Sequence, residues 1–168
     1  MITEPRLENR GQQPYMAIRA QVTLHDMPTV LPQILGEVFA WLDHQGVPPA
    51  GPPFIRYLVI DMATQLDIEL GVPVAIALPG ADRISAGALP AGRYATLVYT
   101  GVQNGIAANA ALLDWGARQG IIWQKWATAH GDAWGARTES YLTDPATEPD
   151  PAQWATEVAI RLADEQPQ

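Results

Sequence analysis

Apolar and polar positions follow the two-residue period of β-strands, or cluster as β-branched runs, in six stretches of the chain. These stretches are 15–25, 54–62, 66–78, 92–99, 137–144 and 156–163. Two other stretches have apolar residues at the i, i+3, i+4 spacing of a helix. They are marked by Leu31, Ile34, Leu35, Val38, Phe39 and Leu42, and by Ile106, Ala110, Leu113 and Ala117. We expect Thr29 to cap the first helix, Pro32 to lie in its first turn and Gly46 to end it.

The resulting order of strand, helix, strand, strand occurs twice, and short sequence motifs match between the two halves. Trp41, Gln45 and Gly46 recur at one constant offset as Trp115, Gln119 and Gly120, and Arg19 and Arg93 have the same offset. Tyr57 matches Tyr141, and Glu69 matches Glu157, at larger offsets. The offset grows because the segment 121–136 contains additional residues that have no counterpart in the first half. Motifs this short also match by chance, but their consistent order along the chain favours an internal duplication.

A duplicated module of this kind predicts an α+β fold. Two strand–helix–strand–strand modules would form one antiparallel sheet, with both helices on one face and a ligand cleft between the modules. We expect a flexible lead over 1–13, a single domain over 14–164 and a tail over 165–168. Module one would span about 14–80 and module two about 84–164. The glycine-containing stretch 80–92 is expected to be a loop before a strand.

Composition narrows the classes of function. The hydrophobic fraction of 48% is enough for a buried core, and the net charge of −8 without a basic stripe argues against direct nucleic-acid binding. The chain has no cysteine, and its three histidines lack metal-ligand spacing, so we expect no metal and no cofactor. No signal-like or membrane-spanning apolar run is present in the sequence, which leads us to expect a cytoplasmic protein without membrane contact.

The stretch RTESYLTD (137–144) contains the most informative acidic residue. Glu139 and Tyr141 share one face of the predicted strand, which is either solvated or turned toward a cavity. In a cavity, the carboxylate would attract a cation, or act as a general base on water when the substrate is electrophilic. Ile55 occupies the place of Glu139 in the first module. Because shared architecture does not explain an acid present in one copy only, we favour the cavity.

Aromatic residues are the expected walls of this cavity. Tyr57, Tyr99 and Tyr141 would each offer a flat surface and a hydrogen-bond donor, although packing within the sheet explains them as well. Trp123, Trp126 and Trp134 lie in the unrepeated segment 121–136, where cation–π contact with a ligand is an alternative to packing. The repeated Trp41 and Trp115, together with Trp154, are expected to be structural. Glu69 is an alternative second carboxylate of the pocket.

Four passages resemble the GyrI-like small-molecule effector-binding domains of bacteria: WLDHQGVPPAGPPFIRY (41–57), DIELGVPV (67–74), LPAGRYATLVYTG (89–101) and ESYLTDPATEPDPAQWATEVAIRLA (139–163). The resemblance covers about 14–164 and implies the duplicated fold. It also implies a pocket for drug-like, often cationic aromatic compounds, with Glu139 as its buried acid. The short lead resembles that of free-standing members.

Three functions follow from this resemblance. The leading expectation is binding of hydrophobic, planar and in some cases cationic small molecules, for sensing, sequestration or resistance. The second is an enzyme that hydrolyses cyclopropane-bearing genotoxins, with Glu139 activating water. The third is a protein–protein module that shields DNA gyrase.

Overall fold

The computed structural model describes residues 1–61, 63 and 65–167. Within them, ten strands form one antiparallel sheet, and two α-helices lie against it. The helices are α1 (Met27–Gln45) and α2 (Gly105–Arg118). The strands are β1 (Arg6–Arg10), β2 (Gln13–Val22), β3 (Phe54–Ile60), β4 (Leu66–Pro73), β5 (Ile84–Leu89), β6 (Gly92–Thr100), β7 (Lys125–Thr128), β8 (Gly131–Trp134), β9 (Arg137–Tyr141) and β10 (Ala155–Arg161). Met62 and Gln168, which belong to the predicted strand 54–62 and the predicted tail, lie outside the described residues.

The sheet consists of two equivalent modules, as the sequence predicts. In the first, β2 pairs with β4 and β4 with β3; in the second, β6 pairs with β10 and β10 with β9. Strands β3 and β9 join the modules, so the strand order is β1-β6-β10-β9-β3-β4-β2-β5. The hairpin β7–β8 adds to the end of β3. The α+β class and the single antiparallel sheet are thereby confirmed.

The register between β3 and β9 locates the centre of the duplication. Ile55 lies directly opposite Glu139, and the flanking pairs are Phe54 with Ser140 and Arg56 with Thr138. The residue before Ile55 therefore pairs with the residue after Glu139, and the residue after Ile55 pairs with the residue before Glu139. A local twofold axis that relates the two strands thus passes through the Ile55–Glu139 pair.

The first strands of the modules correspond differently from our expectation. Ile18 pairs with Leu70 in module one, and Leu97 pairs with Val158 in module two. Ile18 and Leu97 are therefore structural counterparts. Their separation along the chain is larger than that between Arg19 and Arg93. The two arginines thus do not occupy equivalent positions, and their predicted match is wrong. The connection between the first strand and the helix differs in length between the modules. The sequence offset that relates the two helices therefore does not relate the two first strands.

Helix α1 begins before the position predicted for it. It starts at Met27, Pro28 lies in its first turn, and Asp26 precedes it, so Thr29 is not the cap and Pro32 lies in the second turn. Proline suits the first turn because its missing N–H has no helical acceptor there. The C-terminal prediction is confirmed. Gly46 is left-handed with φ 71°, and the matching Gly120 has φ 70°.

Each helix covers an apolar cluster on the same face of the sheet. Under α1 the buried residues include Val38, Leu42, Ile18 and Leu70, and under α2 they include Leu112, Leu97, Val158 and Ile160. Trp41 packs against the first cluster and Trp115 against the second, which fits their predicted structural role. In the part of the chain that the structure describes, no helix is long and apolar enough to cross a membrane.

Three segments differ from the sequence-based prediction. Residues Arg6–Arg10 of the expected flexible lead form β1, which pairs with β6 at one edge of the sheet. Part of the expected loop 80–92 forms β5, which pairs with β2 at the other edge. The strand predicted over 66–78 ends at Pro73. Both edge strands are poor in β-branched residues, so their conformation comes from pairing with a neighbouring strand rather than from their own propensity.

Candidate functional site

Glu139 lies at the junction of the two modules, on the face of the sheet that the helices cover. It is half-buried and stands in β9 between β3 and β10, opposite Ile55 on one side and Val158 on the other. Ile55 belongs to the cluster under α1 and Val158 to the cluster under α2. The carboxylate is thus held where two apolar cores meet.

Two tyrosines donate hydrogen bonds to the two oxygens of this carboxylate. The hydroxyl of Tyr57 donates to Oε2 of Glu139, and that of Tyr99 donates to Oε1 over 2.9 Å. Tyr57 comes from module one and Tyr99 from module two, so each module supplies one donor. The hydroxyl of Tyr99 lies beneath the start of α2, where a Cβ added at Gly105 would come within 3.2 Å of it.

Tyr141 completes the cluster. It lies on the same face as Glu139, two residues further along β9, and packs against the core under α1. The structure therefore brings Glu139, Tyr57, Tyr99 and Tyr141 together, as the sequence predicted. We call these four residues the tyrosine–glutamate cluster.

Burial and negative charge keep the three phenols protonated. Burial raises the pKa of Tyr57 well above its usual value, and the charge of Glu139 raises it further. The same two causes, in the same order, raise the pKa values of Tyr99 and Tyr141. At neutral pH each phenol is consequently a hydrogen-bond donor and not a base.

Arg137 is a charged neighbour that our interpretation of the sequence did not assign to the site. It lies two residues before Glu139 on the same face of β9, and its guanidinium stacks over the ring of Trp134 at 4.4 Å. Its Nη2 donates to Oδ1 of Asn109 on α2 over 3.0 Å. Burial lowers the pKa of Arg137, while Tyr57 and Glu139 act in the opposite direction. The period-2 alternation of 137–141 was the signal that could have identified it.

The three tryptophans of segment 121–136 have different environments. Trp134 is 6% exposed and belongs to the core under α2, beside Arg137. Trp123 packs on α2, where an added Cβ at Gly116 would overlap its ring. Trp126 is 53% exposed on β7. Of the three, Trp134 is the one with a contact to a neighbour of Glu139.

Glu69, the alternative second carboxylate, lies on the opposite face of the sheet. Its Oε1 accepts a hydrogen bond from the hydroxyl of Tyr15 over 2.7 Å, and the same hydroxyl accepts one from Arg56 over 2.8 Å. The sheet separates this network from Glu139, so Glu69 is not part of the tyrosine–glutamate cluster. It offers a matched control, because both acids accept hydrogen bonds from a tyrosine.

Two depressions on the surface of the described residues lie away from the cluster. One of about 590 Å³ runs along the end of α1, the other of about 350 Å³ lies beside β1 and β6, and neither is lined by a residue of the cluster. Within the described residues, no group of three His, Cys, Asp or Glu side chains is arranged to hold a metal ion. The site is a carboxylate enclosed by its own aromatic neighbours.

A family model for the GyrI-like small molecule binding domain matches residues 3–163. The chain belongs to this family. The match covers nearly the whole length and includes β1. No curated protein matches the chain.

Solved structures share the fold of this GyrI-like domain at low identity. The EcmrR C-terminal domain is 17% identical, with a TM-score of 0.71, and the match covers 96% of this chain and 98% of that one. In a complex of EcmrR with DNA, the match covers 96% of this chain but 58% of EcmrR, at 18% identity and a TM-score of 0.76.

Two further structures extend the comparison. A hydrolase from Listeria innocua is 12% identical with a TM-score of 0.64, and 95% and 92% of the two chains are covered. SAV2435, solved with tetraphenylphosphonium bound, is 9% identical with a TM-score of 0.62, and 96% and 95% are covered. At these identities the likeness shows a common fold.

Proposed function

We propose that this GyrI-like domain binds hydrophobic, planar aromatic small molecules at the tyrosine–glutamate cluster and acts in sensing, sequestration or resistance. The observation that carries the proposal is the half-buried carboxylate of Glu139, which accepts hydrogen bonds from Tyr57 and Tyr99 at the junction of the modules. A carboxylate in such a place attracts a positive charge or a hydrogen-bond donor on a ligand. Family membership and the cationic ligand of SAV2435 support this function.

The geometry suggests how a ligand would enter. Both oxygens of Glu139 accept hydrogen bonds from phenols. A ligand that reaches the acid would displace a hydroxyl, and the hydroxyl of Tyr99 lies beneath the start of α2. The phenol rings of Tyr57, Tyr99 and Tyr141 would then serve as flat walls for an aromatic ligand, with cation–π contact where the ligand is charged.

The test compares Glu139 with Glu69, which lie on opposite faces of the sheet and each accept a hydrogen bond from a tyrosine. Tetramethylrhodamine methyl ester, a planar aromatic cation, is titrated into wild type, Glu139→Gln and Glu69→Gln, and binding is followed by fluorescence anisotropy. We expect Glu139→Gln to weaken binding by about tenfold to a hundredfold, which is roughly 1.4–2.7 kcal/mol. Glu69→Gln should bind like wild type. Absence of binding to wild type, or equal loss in both variants, would refute the proposal.

Hydrolysis of a cyclopropane-bearing electrophile is the second candidate, favoured by the position of a carboxylate beside an aromatic cluster. Water would form a C–O bond to the strained ring carbon, and the ring C–C bond would break. The bonding electron pair would pass into a conjugated carbonyl of the substrate, the proton of water would move to Glu139, and Glu139 would return that proton to the resulting enolate oxygen. The fold neighbour named as a hydrolase is compatible with this candidate.

Mass spectrometry separates the two candidates. The protein is incubated with a cyclopropane-bearing alkylator, and the product with one added water is followed over time. Multiple turnovers that disappear in Glu139→Gln and persist in Glu69→Gln would establish the enzyme. Binding in a one-to-one ratio without product would leave the binding function and reject the hydrolase.

A further inference from the structure

Two buried hydrogen-bond donors close to Glu139 have no acceptor. Among the described residues, neither Nε1 of Trp134 nor Nε of Arg137 has a hydrogen-bond partner. Trp134 is 6% exposed, so its indole N–H does not obtain its acceptor from bulk water. Buried donors in native proteins are paired in the great majority of cases, and those without a partner call for an explanation.

These two donors belong to one unit. The guanidinium of Arg137 stacks over the ring of Trp134 at 4.4 Å, and its Nη2 is anchored to Oδ1 of Asn109 over 3.0 Å. The anchor fixes the guanidinium while leaving its Nε free. We call Trp134 and Arg137 the donor pair.

The donor pair and Glu139 occupy the same face of the sheet. Arg137 and Glu139 are separated by two positions on β9, so their backbones are roughly 7 Å apart. Arg137 opposes Ile160, and Glu139 opposes Val158, both of which lie in the core under α2. A ligand group that reaches Glu139 on this face therefore lies on the same side of the sheet as the donor pair.

The charge of Arg137 also affects which ligands are tolerated. Its guanidinium lies close enough to Tyr57 and Glu139 for both groups to raise its pKa against the effect of burial. A buried cation beside the acid repels a ligand that carries only positive charge. It attracts a ligand that carries an oxygen acceptor or a carboxylate.

We propose that the preferred ligand is bifunctional: a planar aromatic compound with a donor or cationic group for Glu139 and an oxygen acceptor for Trp134 and Arg137. This inference rests on the proposed binding function and deepens it by defining the ligand class. A purely lipophilic cation still pairs with Glu139, but it binds more weakly because it leaves both donors unpaired and lies beside Arg137. A zwitterion or a cation with a carbonyl group satisfies both ends.

Three dyes with one xanthene cation test the inference. Tetramethylrosamine has no acceptor on its phenyl ring, tetramethylrhodamine methyl ester has an ester carbonyl there, and tetramethylrhodamine has a carboxylate. Dissociation constants are measured by anisotropy for wild type, Trp134→Phe, Arg137→Met and the control Arg118→Met. Arg118 is exposed near the end of α2, away from the donor pair.

We expect wild type to bind the ester about tenfold more tightly than tetramethylrosamine, and the carboxylate at least as tightly as the ester. Trp134→Phe keeps the aromatic ring and removes the N–H, so the preference for the ester should fall about threefold while affinity for tetramethylrosamine stays constant. Arg137→Met should abolish the preference and strengthen tetramethylrosamine binding severalfold. Arg118→Met should match wild type. A variant that merely damaged the fold would weaken all three dyes together.

Failure of the inference is distinct from failure of the proposed function. If wild type binds tetramethylrosamine as tightly as the ester in a manner that depends on Glu139, the site binds ligands but the donor pair is not a recognition element. Two buried waters on the donors would give that same result. If no dye binds in a manner that depends on Glu139, the proposed function itself is refuted.

Discussion

Raising the pH should destabilise the protein through the phenols around Glu139. The pKa values of Tyr57, Tyr99 and Tyr141 are all raised in the folded state, whereas phenols in the unfolded chain titrate near 10. Below pH 10 both states hold the protons, and stability is constant with respect to these groups. Above pH 10 the unfolded chain loses protons that the folded protein keeps, so the free energy of unfolding falls.

The magnitude follows from the number of phenols. One proton of difference changes the free energy of unfolding by about 1.4 kcal/mol per pH unit. Between pH 9 and pH 11, each phenol that stays protonated in the folded protein costs about 1.4 kcal/mol, and the three together cost about 4 kcal/mol. Typical domains have only about 5–15 kcal/mol of stability, so the protein should lose a large part of it over two pH units.

Urea unfolding at pH 9, 10 and 11 measures the effect, and absorbance at 295 nm shows when phenolate forms. Tyr57→Phe is the decisive comparison. Between pH 9 and pH 11, its free energy of unfolding should fall by about 1.4 kcal/mol less than that of wild type, because one titrating phenol has been removed. Contributions from the other two tyrosines, Tyr15 and Tyr94, are common to both proteins and cancel. Native wild type whose tyrosines all titrate near pH 10, or an equal loss in Tyr57→Phe, would contradict the assignment of Tyr57 to a buried site beside Glu139.

Three glycine substitutions test the packing of the helices and of β5. Gly116→Ala should destabilise the protein by about 1–2 kcal/mol in urea unfolding, because the added methyl meets the ring of Trp123. Gly36→Ala, in the open surface of α1, should instead stabilise it by about 0.5–1 kcal/mol, and a loss at both positions would refute the packing argument. Gly87→Ala should cost about 1–3 kcal/mol, since its methyl would lie 2.5 Å from Cζ of the buried Tyr15, and a neutral effect would show that β5 does not pack on that ring.

The sequence was sufficient to predict the central strands and the acid between them. Period-2 alternation assigns Glu139 and Tyr141 to one face of β9, and the internal duplication relates Tyr141 to Tyr57 on β3. Both features are local to strands with apolar residues in alternate positions, for which the pattern is strongest. They predict that Glu139, Tyr141 and Tyr57 lie close together on one face of the sheet, which is where the structure places them.

Other elements depend on contacts that the local pattern does not contain. Strand β5 is rich in Ala, Gly and Ser, and it is extended because β2 offers its edge; β1 depends in the same way on β6. The position of Trp134 beside Arg137 is set by the β7–β8 hairpin, and that of Asn109 by the packing of α2 on the sheet. Such long-range placement is not encoded in the spacing of residues along the chain.

The duplication also explains why the site has one acid and not two. The local twofold axis passes through the Ile55–Glu139 pair, so a residue at this position faces its own counterpart from the other module. Side chains directly opposite each other in an antiparallel pair have Cβ atoms about 5 Å apart, and two carboxylates at that distance would repel. An acid can therefore be kept at the axis in one module only, with an apolar partner in the other. Ile55 supplies that partner, and the tyrosines contributed by both modules, Tyr57 and Tyr99, then converge on the single carboxylate.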